Sequence, residues 1–199
     1  MPFHLPEPWS GHLETARLLF ISSNPSIDYN EHYPNEKWSD EEITDFFHNR
    51  FTADEPWING KNQTLQVFGD RGRSVPFLRG VKRLARDIIQ DAQPGIDYAL
   101  TEVVHCKSRS EKTGVAEAVT QCAGYMDKII ALAGARVLIV LGDHAKGVMR
   151  QRRDKIPSDK LMVFFPHPRR WDFDRDAYPS EDDLQPLRDR LASEASASA

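Results

Sequence analysis

Apolar residues along this chain follow two rhythms. Four short runs, Arg17 to Ser22, Tyr98 to Val104, Arg136 to Leu141 and Leu161 to Phe165, are almost continuously hydrophobic and rich in β-branched or aromatic side chains. Continuous rather than alternating hydrophobicity predicts strands buried on both faces, the habit of parallel sheets. Between these runs the apolar positions recur at helical spacing. SDEEITDFFHNRF places Ile43, Phe46 and Phe47 on one face, and Ser39 followed by Glu42 is a capping-box start. PFLRGVKRLARDIIQ carries Leu78, Val81, Leu84, Ala85, Ile88 and Ile89 on a stripe, with Pro76 near its beginning. VAEAVTQCAGYMDKIIALAG does the same through Val119, Cys122, Met126, Ile129, Ile130 and Ala133, and Gly134 is a stop. A shorter helix is expected after Gly142. Strands alternating with helices predict an α/β protein with right-handed crossovers. Residues 52–75 read as one long connection, a length that tends to be functional.

A chain of 199 residues fits one domain, taken here as residues 1–190, with a disordered tail over 191–199 where ASEASASA offers little to bury. Composition, 40% hydrophobic and 28% charged, is that of a globular domain. No apolar run approaches the roughly 18–20 residues of a membrane span. The start, MPFHLPEPWSGH, lacks the basic-then-apolar order of a secretory leader. A cytoplasmic monomer with no membrane partner is therefore expected. Two cysteines, Cys106 and Cys122, cannot build a disulfide framework and read as ordinary buried thiols.

Net charge is -4, but its distribution is uneven. Arg71, Arg73, Arg79, Lys82, Arg83 and Arg86 crowd residues 71–86 without an acid, whereas residues 28–55 hold nine acids against Lys37 and Arg50. That asymmetry suits a polyanion groove on one face of an acidic protein, and equally suits a solvated helix face.

Each strand ends in a polar cluster: SSNPS, TEVVHCKS, LGDH and FFPHPRRW. In an open parallel α/β sheet the carboxyl ends share one edge, where ligands bind. Asn24, Glu102, His105, Asp143 and His167 should gather there. Familiar chemistries fit poorly. There is no His-x-x-x-His or Cys-x-x-Cys for a metal, no Gly-x-Ser-x-Gly elbow, and no glycine in the first turn for a dinucleotide. An amide, a histidine, a carboxylate and an aromatic remain, groups that hydrogen-bond and stack a heterocycle. Taken singly each has a plainer reading: Asn24 as a turn former before Pro25, Phe77 as core, His167 as a partner of buried carbonyls, Arg169 and Arg170 as solvated surface.

The ordered set resembles the uracil-DNA glycosylase superfamily. LLFISSNPSI is similar to the first motif of the mismatch-specific and thymine-DNA glycosylase branch, with Asn24-Pro25 at its Asn-Pro. SVPFLRGVKRLARDI resembles the Pro-Phe-x-Gly segment of the iron-sulfur branch, with Phe77 at the stacking ring. ALTEVVHCKSRS with Glu117, Cys122 and Tyr125 follows that branch's second strand and helix, VLIVLGDHA its third strand, and FFPHPRRW the closing His-Pro motif. The resemblance spans about residues 17–171. It implies a three-layer α/β/α domain with a central four-stranded parallel sheet. It also implies a DNA glycosylase that flips a damaged or deaminated base from the duplex and cleaves its N-glycosidic bond. By resemblance Asn24 and His167 are catalytic, Ser22, Ser23, Phe77 and Glu102 hold the base, and Ser26, Lys107, Arg169, Arg170 and Trp171 meet DNA.

Departures from the family matter. An iron-sulfur cluster needs four thiolates and this chain has two cysteines, so neither cluster, other cofactor nor metal is expected. Ser22 and Ser26 replace the first motif's glycines. Glu102 stands where the iron-sulfur branch has its base-reading asparagine, and an ionised glutamate only accepts. Unless protonated or turned away it would repel uracil O4. It would then favour an exocyclic amine or purine N–H, or act as general base on water, with His105 modulating it. An inactive nucleobase or nucleic-acid binding module, or a nucleoside or nucleotide hydrolase, are the alternatives.

Overall fold

The computed structural model describes residues 5–23, 33–50, 64–67, 70–74, 76–107 and 115–197. In chain order its main elements are β1 (Leu18–Ser22), α1 (Asp40–Asn49), β2 (Thr64–Val67), β3 (Asp70–Ser74), α2 (Pro76–Ile88) and β4 (Tyr98–Glu102). There follow α3 (Val115–Leu132), β5 (Val137–Leu141), α4 (Asp143–Gln151), β6 (Leu161–Phe165), α5 (Pro168–Trp171) and α6 (Glu181–Ala197). The central sheet runs β4-β1-β5-β6, every neighbouring pair parallel.

Strand residues alternate between two cores. Leu18, Phe20, Tyr98, Leu100, Val137, Ile139 and Leu141 pack with Leu78, Val81, Leu84 and Ile88 of α2, Trp171 of α5, and Leu184, Leu187 and Leu191 of α6. Leu19, Ile21, Ala99, Leu138 and Val140 face the other way, against Met126, Ile129 and Ile130 of α3 and Ala145 and Met149 of α4. This is the three-layer α/β/α arrangement. At roughly 1.5–3 kcal/mol per fully buried large apolar side chain, the inner strands anchor both layers. β1 and β5 are buried throughout, as the unbroken hydrophobicity requires. β6 is only partly buried along its length, because it is an edge strand.

The other edge, β4, is covered. Ser10 and Leu100 exchange both backbone hydrogen bonds in antiparallel fashion, and Thr101 Oγ1 donates to the Pro8 carbonyl at 2.7 Å. This N-terminal strap occupies donors and acceptors that would otherwise template another strand.

Two expectations need correction. The long connection at 52–75 contains an antiparallel hairpin, β2 with β3; β2 is too short for its Thr-Leu-Gln-Val alternation to stand out, and β3, Asp-Arg-Gly-Arg-Ser, has no apolar position at all. The expected disordered tail from 191 carries helix to Ala197, because Leu191 is buried and continues the stripe of Leu184 and Leu187. α1 begins as expected. Ser39 Oγ accepts from the Glu42 N–H, and Glu42 Oε2 accepts from the Ser39 N–H at 2.8 Å. Ser39→Ala should lower Tm by roughly 2–4 °C in thermal denaturation, the usual loss of one cap in a domain this size.

Candidate active site

Ser22 and Glu102 stand opposite each other at the ends of β1 and β4, on the face that packs α2. Ser22 Oγ donates to Glu102 Oε1 at 2.9 Å. Pairing continues past the strands, with the Val103 N–H donating to the Ser22 carbonyl and the Val104 N–H to that of Ser23. Both serines are buried. Glu102 Oε2 is buried too and has no hydrogen-bond partner among the described residues. Burial pushes the Glu102 carboxyl well above the ordinary carboxylate range, and the Glu7 carboxylate pushes the same way. The Ser22 hydrogen bond, Lys107 and Arg50 oppose them without prevailing. Its surroundings thus bias Glu102 toward the neutral form relative to an exposed glutamate. That bias weakens its repulsion of a carbonyl oxygen.

Behind it lies a buried ion cluster that the motifs gave no hint of. Arg50 Nη1 forms an ion pair with Glu7 Oε1 at 2.5 Å, and Lys107 Nζ lies 3.5 Å from Oε2. The three side chains are 12%, 0% and 2% exposed. Lys107 Nζ also sits 3.7 Å from the centroid of the Tyr33 ring. Burial alone would raise the Glu7 carboxyl, but Arg50 and Lys107 outweigh it and hold it below its usual value. Lys107, expected to meet DNA, is a structural counterion with no exposed head to offer a phosphate.

His167 follows β6 and caps α5, its Nδ1 accepting from the Arg169 N–H at 3.2 Å. An accepting Nδ1 places the proton of the neutral ring on Nε2, making that atom a donor. The Phe77 ring centroid, at the start of α2, is 5.3 Å from that of His167. Gly142, at φ +87°, ends β5 beside them, and a Cβ there would lie 3.4 Å from His167 Cβ. A Cβ on Gly80 would come within 2.6 Å of Pro168 Cβ and 3.2 Å of Trp171 Cε3, so the bare glycine lets α2 and α5 close together. Trp171, expected at the DNA, is 5% exposed and stacked edge-on against Tyr178. Its burial rules it out as a wedge. The exposed aromatic there is Phe173, 90% exposed. It follows Arg169 and Arg170, which are exposed as expected. Only its place two residues beyond the tryptophan hinted at it.

His105 does not join the crevice. It is buried, its backbone N–H donates to Cys122 Sγ at 3.5 Å, its ring faces Tyr125, and burial takes its pKa down to about 4. It sits beyond the end of β4 as a neutral ring. Asp143 is exposed at the start of α4. Of the cysteines Cys122 is buried and Cys106 exposed, against the expectation of two buried thiols. In the basic segment, Arg79 pairs with Asp172 at 3.3 Å and Arg83 lies 4.0 Å over the Tyr178 ring, so part of that charge is used within the fold. Asn24 and Ser26 lie outside the described residues.

A β4-β1-β5-β6 parallel sheet between helices, with serine, carboxyl, histidine and aromatic groups along its carboxyl edge, makes this a uracil-DNA-glycosylase-like α/β/α domain. The family model described as Uracil DNA glycosylase superfamily matches residues 8–179, and the chain belongs to that superfamily. No curated protein matches it.

Proposed function

We propose that the protein is a monofunctional DNA glycosylase of base excision repair, which turns a damaged or deaminated nucleotide out of the duplex and hydrolyses its N-glycosidic bond. The observation carrying this reading is the tautomer of His167, a ring N–H donor beside Phe77 at the sheet edge that also holds Ser22 and Glu102. Extrusion is required because the reacting bond is inaccessible within the stack. The C1′–N bond breaks with its electron pair leaving on the base, water supplies hydroxide to C1′, and the water's other proton ends on the base. His167 Nε2–H stabilises the charge growing on that base, the kind of fixed donor that accelerates such steps most. Phe77 stacks on the base and Asn24 positions base or water. Arg169 and Arg170 hold phosphates, and Phe173 rather than Trp171 enters the vacated stack.

Single-turnover base release from oligonucleotides carrying uracil, hypoxanthine, xanthine, mismatched thymine or alkylated bases tests this. Release is expected from at least one, and Asn24→Ala should slow it by about 100-fold or more. A folded protein that binds DNA yet releases no base would sink the glycosylase reading in favour of a binding module.

A further inference from the structure

We propose that Glu102 reads the extruded base as an un-ionised carboxylic acid, donating from Oε2 to a carbonyl oxygen and accepting at Oε1 from the adjacent ring N–H of a lactam or imide. This deepens the glycosylase reading and rests on it. Ser22 Oγ donates to Oε1 and thereby directs the acid proton to Oε2. Oε2 is buried without a described partner, and a buried polar atom left so is costly unless something else meets it. The neighbouring carboxylate contrasts with it, since Glu7 takes Arg50, Lys107 and Ser10 for itself. Oε2–H and the second lone pair of Oε1 then form a donor beside an acceptor. That pair matches the C=O and N–H edge of uracil-, thymine- or hypoxanthine-like bases, the products of deamination among them. An ionised glutamate could not offer the donor.

Amino-bearing bases present an edge that the same acid could also meet in the ground state. The transition state separates the two classes. A departing lactam or imide base spreads its negative charge onto its carbonyl oxygens, so an O–H donor placed there strengthens as the bond breaks. Carboxylic acids kept neutral by their surroundings act as such donors in other enzymes.

The groups facing Glu102 are Ser22 on β1, Glu7 on the N-terminal strap, Arg50 after α1, and His105 and Lys107 after β4. Burial and Glu7 hold the proton on, and His105, with its pKa down to about 4, stays neutral through the range of interest. The sign follows. The neutral acid dominates below its raised pKa, so release should fall as pH rises through that value. Stability follows the same direction, being fully present below the ordinary carboxylate range and lost as pH rises through the folded value.

The experiment is single-turnover release from uracil and hypoxanthine oligonucleotides between about pH 5 and pH 9, for the wild type, Glu102→Gln, Glu102→Ala and His167→Ala. The wild type should show an alkaline limb falling about tenfold per pH unit. Glu102→Gln keeps a donor and an acceptor but cannot ionise. It should lower the plateau by up to about tenfold, remove the limb, and melt above the wild type at alkaline pH. Glu102→Ala should lose about 100-fold throughout. An alkaline limb identical in wild type and Glu102→Gln, or Glu102→Ala at the wild-type rate, would overturn the proposal; if Glu102→Ala does not fold, the glutamine variant decides alone. His167→Ala separates the two readings, since it should slow release by about 100- to 1000-fold at every pH while leaving the alkaline limb in place. If the wild type releases no base at all, the glycosylase reading fails by itself, and calorimetric binding of free uracil and hypoxanthine decides on Glu102. Affinity falling with pH in the wild type but not in Glu102→Gln supports it; no binding, or no such difference, overturns it.

Discussion

Glu7→Ala is expected to lower the free energy of folding by about 3–5 kcal/mol, or Tm by on the order of 10 °C. Arg50 and Lys107 are buried beside this carboxylate, and its removal leaves two cations in a site that water does not reach. Breaking a buried pair from one side costs far more than the pair's own net worth, because the remaining charge keeps its desolvation penalty. Urea denaturation of the variant checks the figure, and a loss below about 1 kcal/mol would mean that the cations find other counterions. The pH dependence has a definite sign. The Glu7 carboxyl is held below its usual value, so its contribution is present above the ordinary glutamate pKa and fades as pH falls through the folded value. The variant should also change Glu102. With Glu7 gone, Lys107 and Arg50 draw Glu102 toward its ionised form, and any alkaline loss of activity should move to lower pH.

His167→Ala should slow base release by about 100- to 1000-fold while Tm falls only a few degrees. The side chain is partly exposed, and its Nδ1 accepts from the Arg169 N–H, a cap that starts a four-residue helix. Its chemical duty is larger: a donor fixed before the charge appears needs no reorganisation when the bond breaks. His167→Asn separates the two, since asparagine caps helices well and should restore Tm without restoring the rate. Rate recovery in step with Tm would reduce His167 to a cap.

Much of this was legible in the sequence. The four strands and their parallel pairing followed from unbroken apolar runs, and α1 from Ser39 and Glu42, because burial on two faces and a reciprocal cap leave local marks. Topology alone placed Glu102 and His167 at the carboxyl ends of their strands, whereas it also placed His105 there, which is buried away from the crevice, and Ser22 and Phe77 were singled out only by the resemblance. What was not legible depended on distance along the chain. Lys107 looked like a phosphate contact because nothing nearby in sequence announces Glu7, Arg50 and Tyr33, which reach it from the strap and the end of α1. Trp171 looked like a wedge because its bed, Gly80 and Tyr178, comes from other helices and loops. The raised pKa of Glu102 was invisible for the same reason, since burial and the Glu7 carboxylate that cause it come from elsewhere in the chain. α6 was missed because its apolar positions are few and Pro186 interrupts them; packing on the sheet, not propensity, holds it.

The order in which the sheet is laid down has a consequence for synthesis. β1 lies in the interior, yet its neighbours β4 and β5 follow it by roughly 80 and 120 residues. At about 5–20 residues per second, Leu18 to Ile21 therefore leaves the ribosome on the order of ten seconds before the second of those partners exists. During that interval the most hydrophobic strand of the early chain has nowhere to go, and parallel pairing at such separations is slow to form. The nascent protein should thus be a client of chaperones that shield exposed apolar segments, and its yield should depend on them more than the stability of the finished domain would suggest.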